Sequence, residues 1–264
     1  MKALKYGVLV LSLLAGPMAS ASFWGKVKNA FNDCKYDEKD YPLIYQYEKS
    51  ITNKLPEHFS GRFSESDFNT KPWMRDFKYV LVVNKGEGGP YGQTLRIYDH
   101  GILIHTAKVS TGRENLELKR KNKECTGAPP KSYWSQTPTG YYTPKFLSKD
   151  HKSSSWDSSM PFAVFFDVEN GLALHEVYSK YKGYLGGRAS GGCVRQDAGT
   201  AEFVFNAVKS TEYAMIPEIN VDGTPVLDAS GNVKYISQQN WVNPRTGEVV
   251  KFNTFGTLII VEDN

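Results

Sequence analysis

The chain has 264 residues, of which 40% are hydrophobic and 23% charged, and its formal net charge is +4. That length and composition suit one large globular domain, or one domain with an extension. The positive excess is too small to argue for a nucleic-acid partner.

The chain opens with Lys2 and Lys5, a short apolar run from Tyr6 to Leu14, and Ala19-Ser20-Ala21. This order predicts a secretory signal over residues 1–21, cleaved before Ser22. The apolar run is too short for a lasting membrane anchor, and no later run is long enough for a transmembrane helix. No cysteine follows the cleavage site to carry a lipid. The expected product is soluble and exported, with no stable membrane insertion: periplasmic in a two-membrane bacterium, extracellular otherwise.

Three cysteines remain, Cys34, Cys125 and Cys193. In an oxidising compartment an odd count leaves one thiol over. The economical pairing bonds Cys34 to Cys125 and leaves Cys193 as the thiol; the alternative places Cys193 in the bond.

Residues 22–76 form an aromatic-rich extension, with a short helix expected over 43–51, that packs on a main domain spanning 77–264. Tyr79 to Asn84 is a continuous apolar, β-branched run, as in a buried strand. Thr94 to Tyr98 alternates, Asp99-His100-Gly101 turns, and Ile102 to Val109 continues as a third strand of an antiparallel meander. Residues 113–136 read as a long excursion from the sheet. The serine-rich stretch His151 to Ser159 reads as a flexible lid. Phe162 to Val168 and Leu172 to His175 are further strands. Asp197 is placed to cap a helix over 198–209, and residues 249–252 and 257–261 are closing strands. The fold class is mainly β with one or two helices.

Ser190-Gly191-Gly192-Cys193-Val194-Arg195 carries the chemistry, with His175 eighteen residues before Cys193. A thiol attacks as thiolate and needs a base nearby. Glycines let the chain turn sharply and aim N–H groups at the reacting carbonyl. A guanidinium binds carboxylates in a fixed fork. No histidine and cysteine cluster has metal-ligand spacing, so no metal and no cofactor are expected.

With these residues set out, the chain resembles the L,D-transpeptidase catalytic domain, a β-sandwich or barrel also called YkuD-like, from about residue 78 to 210. The resemblance rests on Ser110-Thr111-Gly112, Thr137-Pro138-Thr139-Gly140, and His175 followed by Ser190-x-Gly192-Cys193-Val194-Arg195. It departs from the family at three points. Gly191 stands where a histidine is usual, Glu176 where a small residue is usual, and the segment between Gly112 and Thr137 is longer than usual.

The resemblance implies Cys193 as nucleophile, His175 as general base oriented by the Glu176 carbonyl, and the N–H groups of Gly192 and Cys193 as oxyanion hole. The Glu176 side chain is alternatively a contact for a substrate amino group. Arg195 is a carboxylate clamp or an organiser of the site; an ordinary salt bridge is the plainer alternative. Ser190 and Gly191, with Tyr133, Trp134 and Trp156 of the lids, are candidate substrate contacts. The implied donor is a tetrapeptide stem of peptidoglycan that loses its terminal D-alanine. The acceptor is the amine of another stem, a lysine of a wall-anchored lipoprotein, a free D-amino acid, or water. Water would make the protein an L,D-carboxypeptidase. A wall-binding protein on an inactive enzyme fold predicts a missing nucleophile or base, and both residues are present.

Overall fold

The computed structural model describes residues 54–119, 131–153, 158–242 and 247–264. The expected signal, the helix over 43–51, Cys34, Cys125 and Trp156 lie outside the described residues. The described strands run β1 (Tyr79–Asn84), β2 (Thr94–Asp99), β3 (Ile102–Lys108), β4 (Leu116–Lys119), β5 (Lys131–Trp134), β6 (Gly140–Tyr142), β7 (Phe146–Ser153), β8 (Ser158–Asp167), β9 (Leu172–Glu176), β10 (Val194–Gln196), β11 (Ile216–Pro217), β12 (Tyr235–Ile236), β13 (Gln238–Val242), β14 (Val249–Asn253) and β15 (Thr257–Glu262). The described α-helices are α1 (Asp67–Thr70) and α2 (Ala198–Lys209). None is long and apolar enough to cross a membrane.

One sheet has the order β3-β2-β1-β15-β6 and the other β10-β9-β8-β7. The expected meander is present, with β1 antiparallel to β2 and β2 to β3. The unforeseen partner is β15, which lies parallel to β1 and antiparallel to β6. All six residues of β1 and of β15 are buried. The reason is that this sheet is covered on both faces. Leu81 and Val83 point into a core shared with Phe166, Leu174 and Val194 of the second sheet and with Val204 and Val208 of α2. Val80 and Val82 meet Phe63, Trp73, Met74, Phe77 and Ile216. A strand buried on both faces shows no alternation, so its sequence reads as an unbroken apolar run. Burial of each such side chain contributes about 1.5–3 kcal/mol.

The other face of the second sheet carries a smaller cluster of Met160, Ala163, Phe165 and Ala173, with Val168 just beyond β8. Phe146, Cys193, Trp241 and Phe252 pack against it. The last two come from β13 and β14, which pair as an antiparallel ribbon.

Two expectations are corrected. The excursion over 113–136 contains a paired ribbon, β4 with β5, rather than being wholly irregular. The polar stretch from His151 is not a loose lid where it is described, because His151 to Ser153 pair with Met160 to Ser158 as the end of a hairpin. His151 and Ser153 are buried there. The cause is local: Phe162 has φ of 55°. That left-handed residue reverses the in–out alternation, so Met160 joins Ala163 and Phe165 on one face despite the odd offset. The His151 ring then meets Phe165 edge-on at 4.9 Å.

Candidate active site

Parallel pairing of β9 with β10 sets Leu174 beside Val194 and His175 beside Arg195. Leu174 and Val194 point into the inter-sheet core. Alternation therefore turns His175, Arg195 and Cys193 to the opposite face. Cys193 just precedes β10 and is partly exposed, and its Sγ–H points to the Gly171 carbonyl at 3.6 Å. His175 is buried.

The Nδ1 of His175 lies 2.7 Å from the carbonyl oxygen of Glu176. An oxygen acceptor requires the proton on Nδ1, which leaves Nε2 able to accept one. Burial, with smaller contributions from Arg195 and His151, lowers the His175 pKa to about 3, against the opposing bond to Glu176. The imidazole is accordingly neutral near pH 7, the form a general base needs.

The glycine turn is held from several sides. Ser190 is fully buried, its Oγ donates to the Cys193 carbonyl at 2.5 Å, and it accepts from the Gly192 N–H at 3.0 Å. Thr137 Oγ1 donates to the Gly192 carbonyl at 2.6 Å and accepts from the Gly112 N–H at 2.9 Å. Gly192 has φ of 131°, and a Cβ there would lie 2.8 Å from the Gln136 carbonyl oxygen. Only glycine fits that approach. A Cβ at Gly112 would lie 2.3 Å from the Ser135 carbonyl oxygen, so the glycine of the first motif packs as closely on the neighbouring residue of the same 135–136 backbone.

Arg195 donates to the Ala189 carbonyl at 3.0 Å and lies 5.3 Å above the Tyr181 ring. It makes no salt bridge among the described residues, so the ordinary ion-pair alternative does not hold there. Burial is the largest influence lowering its pKa, and Arg113 adds to it. Arg113 donates to the same carbonyl at 2.7 Å and is held bidentately by Glu117.

The other expected contacts divide. Ser190 is buried, with its hydroxyl bonded within the turn. The Tyr133 ring is buried, and its hydroxyl donates to Glu117 and accepts from Arg113. These two bonds tie Tyr133 to Arg113 and Glu117. Gly191 and Trp134 are partly exposed beside the turn and on β5. Arg113, Glu117 and Gly171 were not singled out by sequence reasoning: the first two meet Ala189 and Tyr133 from the 113–119 segment, and Gly171, in the turn between β8 and β9, offers only a backbone carbonyl. Among the described residues no group of three or more His, Cys, Asp or Glu is arranged to hold a metal ion.

No curated protein sequence matches the chain at a significant level. Similar solved structures include an L,D-transpeptidase from Xylanimonas cellulosilytica DSM 15894, with 16% identity over 70% of this chain and 60% of that one and a TM-score of 0.40. An L,D-transpeptidase from Mycobacterium tuberculosis H37Rv has 16% identity over 70% and 57%, with a TM-score of 0.38. One from Mycobacterium smegmatis has 13% identity over 70% and 58%, with a TM-score of 0.38. The chain thus spans less than two thirds of the length of these proteins. The family model of the L,D-transpeptidase catalytic domain, YkuD, matches residues 78–227, more than half of the chain, and the protein belongs to that family.

Proposed function

We propose that the protein is a cysteine acyl transferase acting on the peptide stems of peptidoglycan. The observation that carries this reading is the β9–β10 register. It sets His175, with Nδ1 committed to the Glu176 carbonyl, on the same sheet face as the Cys193 thiol.

The donor is a tetrapeptide stem. The Cys193 thiol gives its proton to His175 Nε2, and Sγ bonds to the carbonyl carbon at the L-centre of residue three. The oxyanion takes the N–H groups of Cys193 and Gly192, the latter shared with Ser190 Oγ. The C–N bond breaks, and His175 returns the proton to the departing amine of D-alanine. An amine acceptor then attacks the thioester and releases Cys193. Arg195, whose guanidinium gives one donor to the Ala189 carbonyl among the described residues, holds a carboxylate of the stem with others. Lys2, Lys5 and Ala19-Ser20-Ala21 support export of the mature chain to the compartment where such stems lie.

The mature protein and its Cys193→Ala variant are incubated with disaccharide-tetrapeptide, and the products are read by mass spectrometry. Dimers that have lost one D-alanine, absent with Cys193→Ala, are the expected result. Tripeptide monomers alone would make water the acceptor and the protein a carboxypeptidase. Release of D-alanine by Cys193→Ala would overturn the mechanism.

A further inference from the structure

We propose that Glu57, which precedes the matched family domain, is a positioning residue for acyl transfer at Cys193. It braces the Gln136–Thr139 segment that aims the Cys193 N–H. The inference rests on the reading of Cys193 as the acylated residue.

The Gly192 carbonyl and the Cys193 N–H belong to one peptide unit, which is planar and trans. Fixing the carbonyl oxygen therefore fixes the opposite direction of the N–H. Thr137 Oγ1 does this at 2.6 Å. Thr137 is itself held, since its N–H donates to Glu114 at 3.2 Å. Its neighbours are tied to the segment at residues 55–59. Gln136 exchanges hydrogen bonds with both backbone groups of Leu55, at 2.7 and 2.9 Å, and donates to Glu57 at 2.8 Å. The Thr139 N–H donates to the second Glu57 oxygen at 2.7 Å. His58 and Phe59 donate to the Thr139 carbonyl and hydroxyl.

The charge balance makes Glu57 the keystone. Lys85 is 1% exposed, and its Nζ lies 2.6 Å from Glu57, 3.3 Å from Glu114 and 3.8 Å from Asp263. Burial works to raise the Glu57 pKa, but Lys85, Thr139 and Gln136 together hold it below the ordinary value. Removing this carboxylate leaves Lys85 with Glu114 as its nearer partner and Asp263 as the farther one, and Glu114 is the residue that also holds the Thr137 N–H. Both supports of Thr137 then change at once.

The mature chain and its Glu57→Ala and Thr137→Val variants are mixed with p-nitrophenyl acetate. The burst of p-nitrophenolate reads acylation of Cys193 whatever the natural donor. Losing the aim of one oxyanion donor should slow acylation by roughly tenfold to a hundredfold in each variant. The two losses should not multiply in the double variant, because both act through one peptide unit. Thr137→Ser should recover most of the rate lost in Thr137→Val. Alkylation of Cys193 by iodoacetamide forms no oxyanion and should change by less than about twofold. With the tetrapeptide, the loss should fall on kcat rather than KM. Unchanged acylation in Glu57→Ala, or an equal fall in alkylation, overturns the proposal. If wild-type protein acylates with the ester but leaves the tetrapeptide intact, the stem reading fails while the positioning role stands.

Discussion

His175 and Gly192 show how little freedom single residues have here. For His175 the unfolded imidazole titrates near 6.5 and the folded one near 3. For His151, burial lowers the folded value to about 4. Below pH 6.5 the unfolded chain binds protons that the folded chain refuses, so stability falls with pH until the folded values are reached. At pH 5 each histidine costs about 2 kcal/mol relative to pH 7. Urea unfolding at the two pH values should show the loss, and His151→Phe should remove about half of it. At Gly192 the close backbone neighbour leaves no room to relax. Gly192→Ala should fold with reduced stability and lower D-alanine release by about a hundredfold, if the turn carries the oxyanion donors. Ser190 to Arg195 was legible as a motif because the glycine turn, the thiol and the guanidinium are contiguous in sequence, whereas His175 is brought beside Arg195 only by the β9–β10 pairing. Glu57, Thr137 and Arg113 were not legible as partners of that turn, because nothing local states what they reach.

At the scale of elements, the legible ones were those whose sequence signal is local. The helix α2 begins at Asp197, whose Oδ1 accepts from the Thr200 N–H at 3.0 Å. Asp197→Ala should cost about 1 kcal/mol, read as a fall in Tm of about 2–4 °C. The strands β1 to β3 declared themselves by an apolar run, an alternating run and the His100-Gly101 turn, where φ is positive at both residues. The hairpin end at His151 did not, because its serine-rich, polar composition is that of a loop, while the pairing with Ser158 to Met160 that buries His151 and Ser153 leaves no apolar signal over 151–153. The ribbon β13–β14 was equally silent about its target. Trp241 and Phe252 look like any half-buried pair until the fold lays them over the face that bears Cys193.

For the whole molecule, the decisive feature is that the last described strand is an interior strand of the first sheet, not an edge. β15 lies between β1 and β6, and its Glu262 pairs with buried Arg96 at 2.5 Å. Lone-partner removal from a buried pair costs about 3–5 kcal/mol, so Arg96→Ala should lower the urea midpoint markedly. A fragment of residues 78–227 matches the family domain but lacks β15 and the aromatic cover of β1. It should fail to give a cooperative unfolding transition. This arrangement was out of reach of sequence reading, since a parallel pairing across most of the chain leaves no mark on either strand beyond hydrophobicity.

The central claim is that Cys193 carries the acyl group between donor and acceptor. Intact-protein mass spectrometry of the protein, quenched in acid seconds after mixing with disaccharide-tetrapeptide, addresses it directly. The account predicts a thioester adduct whose mass is that of the donor less D-alanine, located on the peptide that contains Cys193 and missing from Cys193→Ala. Turnover of the donor with no adduct in wild type, or with an adduct on any other residue, would contradict it.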